Sequence, residues 1–235
     1  MSRTFDRRAL LGGGIAAATV ALVGGGTAAG AVAATHPQVR YGSSGGAVLE
    51  LQRKLAAKGF WCGSPDGSFG GLTQQAVYAV QKAYGLTRDG VCGPNTWGAV
   101  DRLTQPKSWT QTYAVEIDLR RQLLMITGNG YARITLNTST GSGQWFSYNG
   151  RWIRATTPTG WFSMLWHGSN GWDYGALGGL YRPYYFTRSG IAVHGSGSIP
   201  PYPASHGCCR VSTAAQDMLI ASGHLRIGRG VLVHN

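Results

Sequence analysis

The chain has little charge and little acid. Only 13% of its residues are charged, and 9 acidic side chains stand against 21 basic ones. The formal net charge of +12 favours anionic polymers as partners. No run of Lys or Arg accompanies that charge. Beyond the N-terminus the basic residues are scattered, paired only as Arg53-Lys54 and Arg120-Arg121. A nucleic-acid-binding face needs a clustered stripe, so no nucleic-acid partner is expected. Cysteine is scarce as well, limited to Cys62, Cys92, Cys208 and Cys209.

A third absence is local. No charged residue occurs from Ala9 to Gln38, directly after Arg7-Arg8. Paired arginines, a Gly/Ala-rich apolar core and the small-x-small ending Ala31-Val32-Ala33 read as a twin-arginine-like export signal over residues 1–33. An uncleaved anchor is the alternative, but the glycines make a poor spanning helix, so no stable membrane span is expected after cleavage. No cysteine follows the cleavage pattern, so no lipoprotein is expected. Arg3, Arg7 and Arg8 against Asp6 leave the signal at +2, and the exported chain at +10. Such a protein meets cell-wall polymers or a membrane surface rather than nucleic acid.

Residues 40–103 read as a small helical domain. Val48, Leu51 and Leu55 recur at helical spacing, with Gly59 as the stop. Thr73 to Tyr84 gives a second helix with Ala76, Val77, Val80 and Ala83 on one side, and Pro94 opens a third with Trp97 and Val100 inward. Asp66-Gly67 and Asp89-Gly90 repeat one turn pattern, a weak internal duplication. Cys62 and Cys92 flank these turns. Outside the cytoplasm they are expected to form a disulfide, which would supply about 3 kcal/mol to a marginal core.

Residues 104–111 read as a linker around Pro106. The period then changes. Tyr113 to Leu119 alternates, Gln122 to Ile126 alternates in part, and Gly128-Asn129-Gly130 signals a hairpin into Ala132 to Asn137. Thr213 to Ser222 reads as a helix capped by Ser212, and Val231-Leu232-Val233 as a closing strand. Residues 112–235 are therefore expected to form a β-sandwich with one or two helices. Two aromatic, glycine-rich stretches, Trp145 to Trp152 and Trp161 to Tyr185, read either as a lid or groove wall or as core aromatics.

The chemistry concentrates in Ala204-Ser205-His206-Gly207-Cys208-Cys209-Arg210-Val211, shortly after Ala192-Val193-His194-Gly195. A thiolate is the reactive form of cysteine, and a nearby imidazole takes or balances its proton. On that pattern Cys208 is the candidate nucleophile and His194 its base, oriented by the Gly195 carbonyl. Amides around Gly207 and Cys208 are candidates for the oxyanion. Competing readings are a buried structural thiol and a zinc site using His206, Cys208 and His194 or His224. The spacing fits no zinc pattern. A Cys208–Cys209 bridge would be strained. His167, His224 and His234 read as ordinary surface or packing residues.

Two resemblances follow from these residues. Gly59-Phe60, Asp66-Gly67-Ser68-Phe69-Gly70, Gln81, Gly85-Leu86 and Gly93-Pro94-Asn95-Thr96-Trp97 resemble the three-helix peptidoglycan-binding domain. That implies targeting to the wall without catalysis, against the alternative of a helical spacer. Ser205-His206-Gly207-Cys208-Cys209-Arg210-Val211 with Ile191-Ala192-Val193-His194-Gly195 resembles the signature of the YkuD-type L,D-transpeptidases. Ala114 to Leu119 with Gln122, and Thr157-Pro158-Thr159-Gly160, resemble further segments of that family. Two departures stand out. The stretch from His194 to Ser205 is shorter than the family's usual spacing, and Cys209 replaces an aliphatic residue and is expected to point inward.

The resemblance implies a multidomain α + β protein in which a three-helix peptidoglycan-binding domain precedes a mainly-β catalytic domain. It implies a secreted enzyme of the cell wall, without cofactor or metal. Cys208 would attack tetrapeptide stems, release D-alanine and pass the acyl group to a second stem as a 3→3 cross-link. His194 would be the base, Gly195 its orienting carbonyl, and His206 a stabiliser of the thiolate. Ser205, Gly207 and Arg210 would serve substrate or oxyanion. Carbapenem-type inhibitors are expected to acylate Cys208. The rival functions are an L,D-carboxypeptidase on the same stems, a non-catalytic wall-binding protein and a metallopeptidase.

Overall fold

The three apolar stripes become α1 (Gly46–Ala57), α2 (Gly71–Ala83) and α3 (Pro94–Asp101) in the computed structural model, which describes residues 36–235. The expected export signal lies outside the described residues. Val48, Leu51 and Leu55 of α1 meet Val77 and Val80 of α2 and Trp97 of α3 in one buried cluster. Gly59 and Gly85 follow the first two helices with φ of +77° and +65°, the left-handed region that ends helices most cheaply at glycine.

The duplicated turn is built around two buried glutamines. Gln52 Nε2 donates to Asp66 Oδ1 and Thr73 Oγ1, while its Oε1 accepts from the Asp66 and Gly67 amides. Gln81 does the same with Asp89 Oδ1, Thr96 Oγ1 and the Gly90 amide. Each clamp ties one helix to the entry of the next. They do the stapling that was expected of a disulfide. Cys62 and Cys92 are both free and buried, so the expected bridge is corrected. The Cys62 thiol points to the Gln52 carbonyl at 3.6 Å, whereas Cys92 pairs its backbone with Val39. Burial pushes the two thiols up to about 11 and about 12.

The second half is a sandwich. One sheet has the order β3–β2–β1–β12–β6, using β1 (Val115–Asp118), β2 (Leu123–Gly128), β3 (Tyr131–Asn137), β6 (Gly160–Ser163) and β12 (Gly230–His234). The other has the order β11–β10–β9–β7, with β8 (Trp172–Gly175) also on β9 (Gly178–Tyr185), and includes β7 (Trp166–His167), β10 (Ala192–Ser196) and β11 (Cys209–Ser212). The closing strand β12 lies parallel to β1, and β11 parallel to β10. The hairpin expected at Gly128-Asn129-Gly130 joins β2 and β3, with positive φ at Asn129 and Gly130, the requirement of a type I′ turn. Helix α4 (Thr213–Ala221) is capped by Ser212, whose Oγ accepts from the Ala215 amide at 3.1 Å. Val115, Ile117, Val193, Cys209, Val211 and Leu219 share the core between these layers.

The aromatic, glycine-rich stretches form strands that sequence periodicity does not show. β4 (Trp145–Tyr148) and β5 (Arg151–Arg154) make a separate two-stranded hairpin, exposed along nearly all its length. With both faces in solvent, it has no reason to alternate.

The two halves share a core. Leu123, Met125 and Ala132 of the sheet pack in the helical cluster rather than in the sandwich. Phe60 forms a parallel bridge to Thr135, and the Thr135 amide donates to the Gly59 carbonyl at 2.7 Å. Residues 104–111, read as a linker, are strapped down. The Ala132 amide donates to Pro106 O and the Ser108 amide to Gly130 O, while Ser108 Oγ and the Trp109 amide donate to buried Glu116. His234 closes the same cluster, with Nε2 3.0 Å from Glu116 and its ring stacked on Trp109. Among the described residues no helix is long and apolar enough to cross a membrane.

Candidate active site

Strand alternation alone aims the key side chains. In the parallel pair β10–β11, Val193 lies opposite Cys209 and His194 opposite Arg210. Val193, Cys209 and Val211 turn into the core. The alternate positions Cys208, Arg210 and His194 therefore share the other face, where all three line a cavity of about 690 Å³. Cys209 is fully buried, the inward orientation expected of it.

His194 is 4% exposed, and its Nδ1 lies 2.9 Å from the Gly195 carbonyl. A carbonyl only accepts, so Nδ1 carries the proton and Nε2 keeps its lone pair. Burial pulls the imidazole from 6.5 down to about 4; the Gly195 bond works against this and the Arg210 charge works with it. β9 carries an extra residue opposite His194, where the register shifts between Val193 and Gly195 and Arg182 adopts φ +47°. Gln216 of α4 pins this bulge by donating to the Arg182 and Val193 carbonyls.

Cys208 Sγ accepts from the Ala192 amide at 3.4 Å and faces the Gly190 carbonyl at 3.8 Å. Burial raises its pKa, against the opposing effects of that amide and of Arg210. The resting state is thus a thiol and a neutral imidazole on one cavity face, which favours His194 taking the thiol's proton over balancing a thiolate. Arg210 lines the cavity half-buried, with no ion-pair partner among the described residues.

The loop before Cys208 is held from several sides. Ser205 Oγ donates to the Cys208 carbonyl at 2.6 Å and accepts from the Gly207 amide at 3.0 Å. Gly207 has φ +143°, and a Cβ there would stand 2.6 Å from Ile191 Cδ1 and 3.0 Å from Thr156 O. Thr157 Oγ1 donates to the Gly207 carbonyl. Thr157 sits in the Thr-Pro-Thr-Gly segment, but its bond to the loop was not read from the sequence. His206 is exposed on the cavity rim, its ring 4.6 Å from that of Phe146. It meets the β4–β5 hairpin, while the sulfur's polar contacts are with Ala192 and Gly190. Leu177 and Leu180, at the β8–β9 turn, form another wall. Among the described residues no three His, Cys, Asp or Glu side chains converge to hold a metal.

A helical domain fused to a β-sandwich, with thiol, imidazole and guanidinium on one cavity face, is the architecture of a cysteine acyl-transfer enzyme. Residues 44–100 match a peptidoglycan binding domain and residues 112–223 an L,D-transpeptidase catalytic domain. The chain is similar to the crystal structure of the L,D-transpeptidase (residues 123–326) from Xylanimonas cellulosilytica, at 45% identity and TM-score 0.79, covering 83% of this chain and 97% of that one. The chain belongs to the L,D-transpeptidase family. It also resembles, over short stretches, N-acetylmuramoyl-L-alanine amidase CwlM of Mycobacterium tuberculosis (38% over 71 residues, 30% of this chain and 18% of the relative). A stretch of 70 residues is 41% identical to zinc D-Ala-D-Ala carboxypeptidase of Streptomyces albus G, 26% of this chain and 25% of the relative. The chain thus spans about a quarter or less of these curated relatives.

Proposed function

We propose that this protein is an exported, wall-bound L,D-transpeptidase that uses Cys208 to form 3→3 cross-links between peptidoglycan stems. The observation that carries this reading is the shared cavity face of Cys208 and His194, with His194 Nδ1 committed to Gly195 and Nε2 left as a base. Sγ attacks the carbonyl of the third residue of a tetrapeptide stem while its proton passes to Nε2. The tetrahedral intermediate collapses, the C–N bond to D-alanine breaks, and the departing amine takes that proton. The thioester then meets the side-chain amine of a second stem, which gives its proton to Nε2. The amide forms, and the leaving sulfur recovers the proton. No cofactor enters this cycle.

The remaining residues take supporting parts. The Gly207 amide is already bonded to Ser205, so the oxyanion falls to the Cys208 amide rather than to Gly207. Arg210 is suited to a stem carboxylate, and His206 to guarding the rim with Phe146. The helical domain holds the enzyme on the wall polymer, in keeping with the basic chain. Residues 40–103, 104–111 and 112–235 serve as binding domain, strap and catalytic domain, after a signal over residues 1–33.

The test is mass spectrometry of tetrapeptide muropeptides incubated with the protein. Dimers lacking one D-alanine are expected from the wild type and none from Cys208→Ala. A carbapenem should add its mass to the wild type alone. Tripeptide without dimer would instead mark an L,D-carboxypeptidase. Dimers formed equally by Cys208→Ala would end the thiol mechanism, and activity lost to a chelator and restored by zinc would mark a metallopeptidase.

A further inference from the structure

We propose that Lys82, a residue of the helical domain, is a positioning residue for the loop that carries the nucleophile, which makes the wall-binding domain a working part of the active site. The inference rests on the transpeptidase reading for its consequence but not for its geometry.

Lys82 lies on α2 and is 2% exposed. Its Nζ donates across the domain boundary to the Gln122 carbonyl at 2.9 Å, to the Thr138 carbonyl at 3.0 Å and to Asn137 Oδ1. These three converging oxygens match the three protons of the ammonium form and favour it, against burial and the Arg88 charge, which pull the group from 10.5 down to about 6. Two belong to Asn137 and Thr138, where the chain leaves β3. That short segment grips the catalytic loop residue by residue. Asn137 Nδ2 donates to the Ile199 carbonyl at 3.1 Å and to Gln75 Oε1 of α2. Thr138 Oγ1 donates to the Arg210 carbonyl at 2.8 Å, and Ser139 Oγ to the Tyr202 carbonyl at 2.8 Å. The Thr140 carbonyl accepts from the Ala204 and Ser205 amides at 3.0 and 2.9 Å. Ser205 in turn bonds the Cys208 carbonyl.

The connection from Lys82 to the nucleophile therefore runs through the backbone of residues 137–140 and the hydrogen bonds that tie it to residues 199–205. Lys82 itself does not line the cavity. The helical side makes a second contact with this loop, where Arg88 Nη1 donates to the Pro201 carbonyl at 3.0 Å. The stretch between His194 and Ser205 is short, so two anchors from the helical domain constrain much of it. Removing the Lys82 amine strands buried acceptors that water cannot reach, and the segment must move to satisfy them.

The test compares Lys82→Met and Arg88→Ala with wild type in the full chain, by hydrogen exchange and by carbapenem acylation. Exchange at the Ala204 and Ser205 amides is expected to quicken at least about tenfold in Lys82→Met and by less in Arg88→Ala, with the β1–β2 amides unchanged. The maximal acylation rate should fall about tenfold in Lys82→Met while half-saturation holds. A mere loss of stability would instead speed exchange everywhere and leave that rate intact. Unchanged exchange at residues 204 and 205 in Lys82→Met overturns the proposal, and Lys82→Gln, which keeps a shorter donor, takes over that decision if Lys82→Met does not fold. If wild type itself is not acylated, the transpeptidase reading fails while the exchange result still judges the loop.

Discussion

His194 and Cys208 set the pH behaviour. The imidazole is pulled down to about 4 and the thiol is pushed up, both by burial first. A base works only when unprotonated. Acylation by a carbapenem is therefore expected to stay flat from about pH 5.5 to 8 and to fall as pH drops through about 4. An ordinary imidazole would already have lost half its activity near its usual value of 6.5. Stopped-flow acylation rates across pH decide this, and a midpoint near the ordinary value would remove the neutral-pair mechanism. The sign for stability agrees. The unfolded imidazole takes its proton near 6.5, while the folded one refuses until about 4. Between those values the unfolded state binds more protons, so stability falls as pH falls across that window.

The inward side of Cys209 was legible in the sequence, since it stands where an aliphatic residue is usual, whereas the short strands that aim Cys208 and His194 were not read there. Once β11 follows the glycine turn, Cys209 and Val211 must face opposite to Cys208 and Arg210. Lys82 was not legible. Its acceptors lie 40 to 56 residues away, and nothing in α2 marks a lysine on that helix as buried rather than solvated. The misplaced disulfide has a similar cause. Two cysteines beside similar turns suggest proximity, but the fold satisfies those turns with Gln52 and Gln81, turns the Cys62 thiol to the Gln52 carbonyl and pairs Cys92 with Val39 through its backbone.

Among the elements, the β4–β5 hairpin is the one the rest of the fold constrains least. It pairs with neither large sheet, and its turn residues Asn149 and Gly150 have φ of +50° and +73°. Trp145 and Trp152 are 64% and 71% exposed. Phe146 is its contact with His206 on the cavity rim. A thioester that waits for an amine must be kept from water, and this hairpin is placed to do that. A ring pair contributes roughly 0.5–1.5 kcal/mol, so Phe146→Ala should raise the open population about two- to tenfold. The ratio of hydrolysed tripeptide to cross-linked dimer should rise by a similar factor, with the melting temperature nearly unchanged. An unaltered ratio would leave the hairpin without a role in excluding water. The sequence singled out this stretch as a lid or groove wall or as core aromatics, but its strands went unread because strands exposed on both faces lack the alternation that marks half-buried ones.

For the whole molecule, the question is whether the helical and sandwich halves fold as one. A domain of this small size is marginal alone, and its expected disulfide is absent among the described residues. The structure supplies another source of stability. Leu123, Met125 and Ala132 enter the helical core, Phe60 bridges to Thr135, and residues 104–111 are strapped to Glu116 and β3. A flexible tether would allow two transitions on heating. The shared core predicts one. Phe60 is fully buried at that boundary, and Phe60→Ala should cost about 3–5 kcal/mol. That is a large part of the 5–15 kcal/mol typical of a folded domain. Helical circular dichroism and carbapenem acylation should then be lost together, at one lowered denaturant midpoint, in the variant as in the wild type. Helix loss preceding loss of acylation would show that the sandwich stands alone. It would also make the anchoring of residues 199–205 by α2 a contact that catalysis does not need.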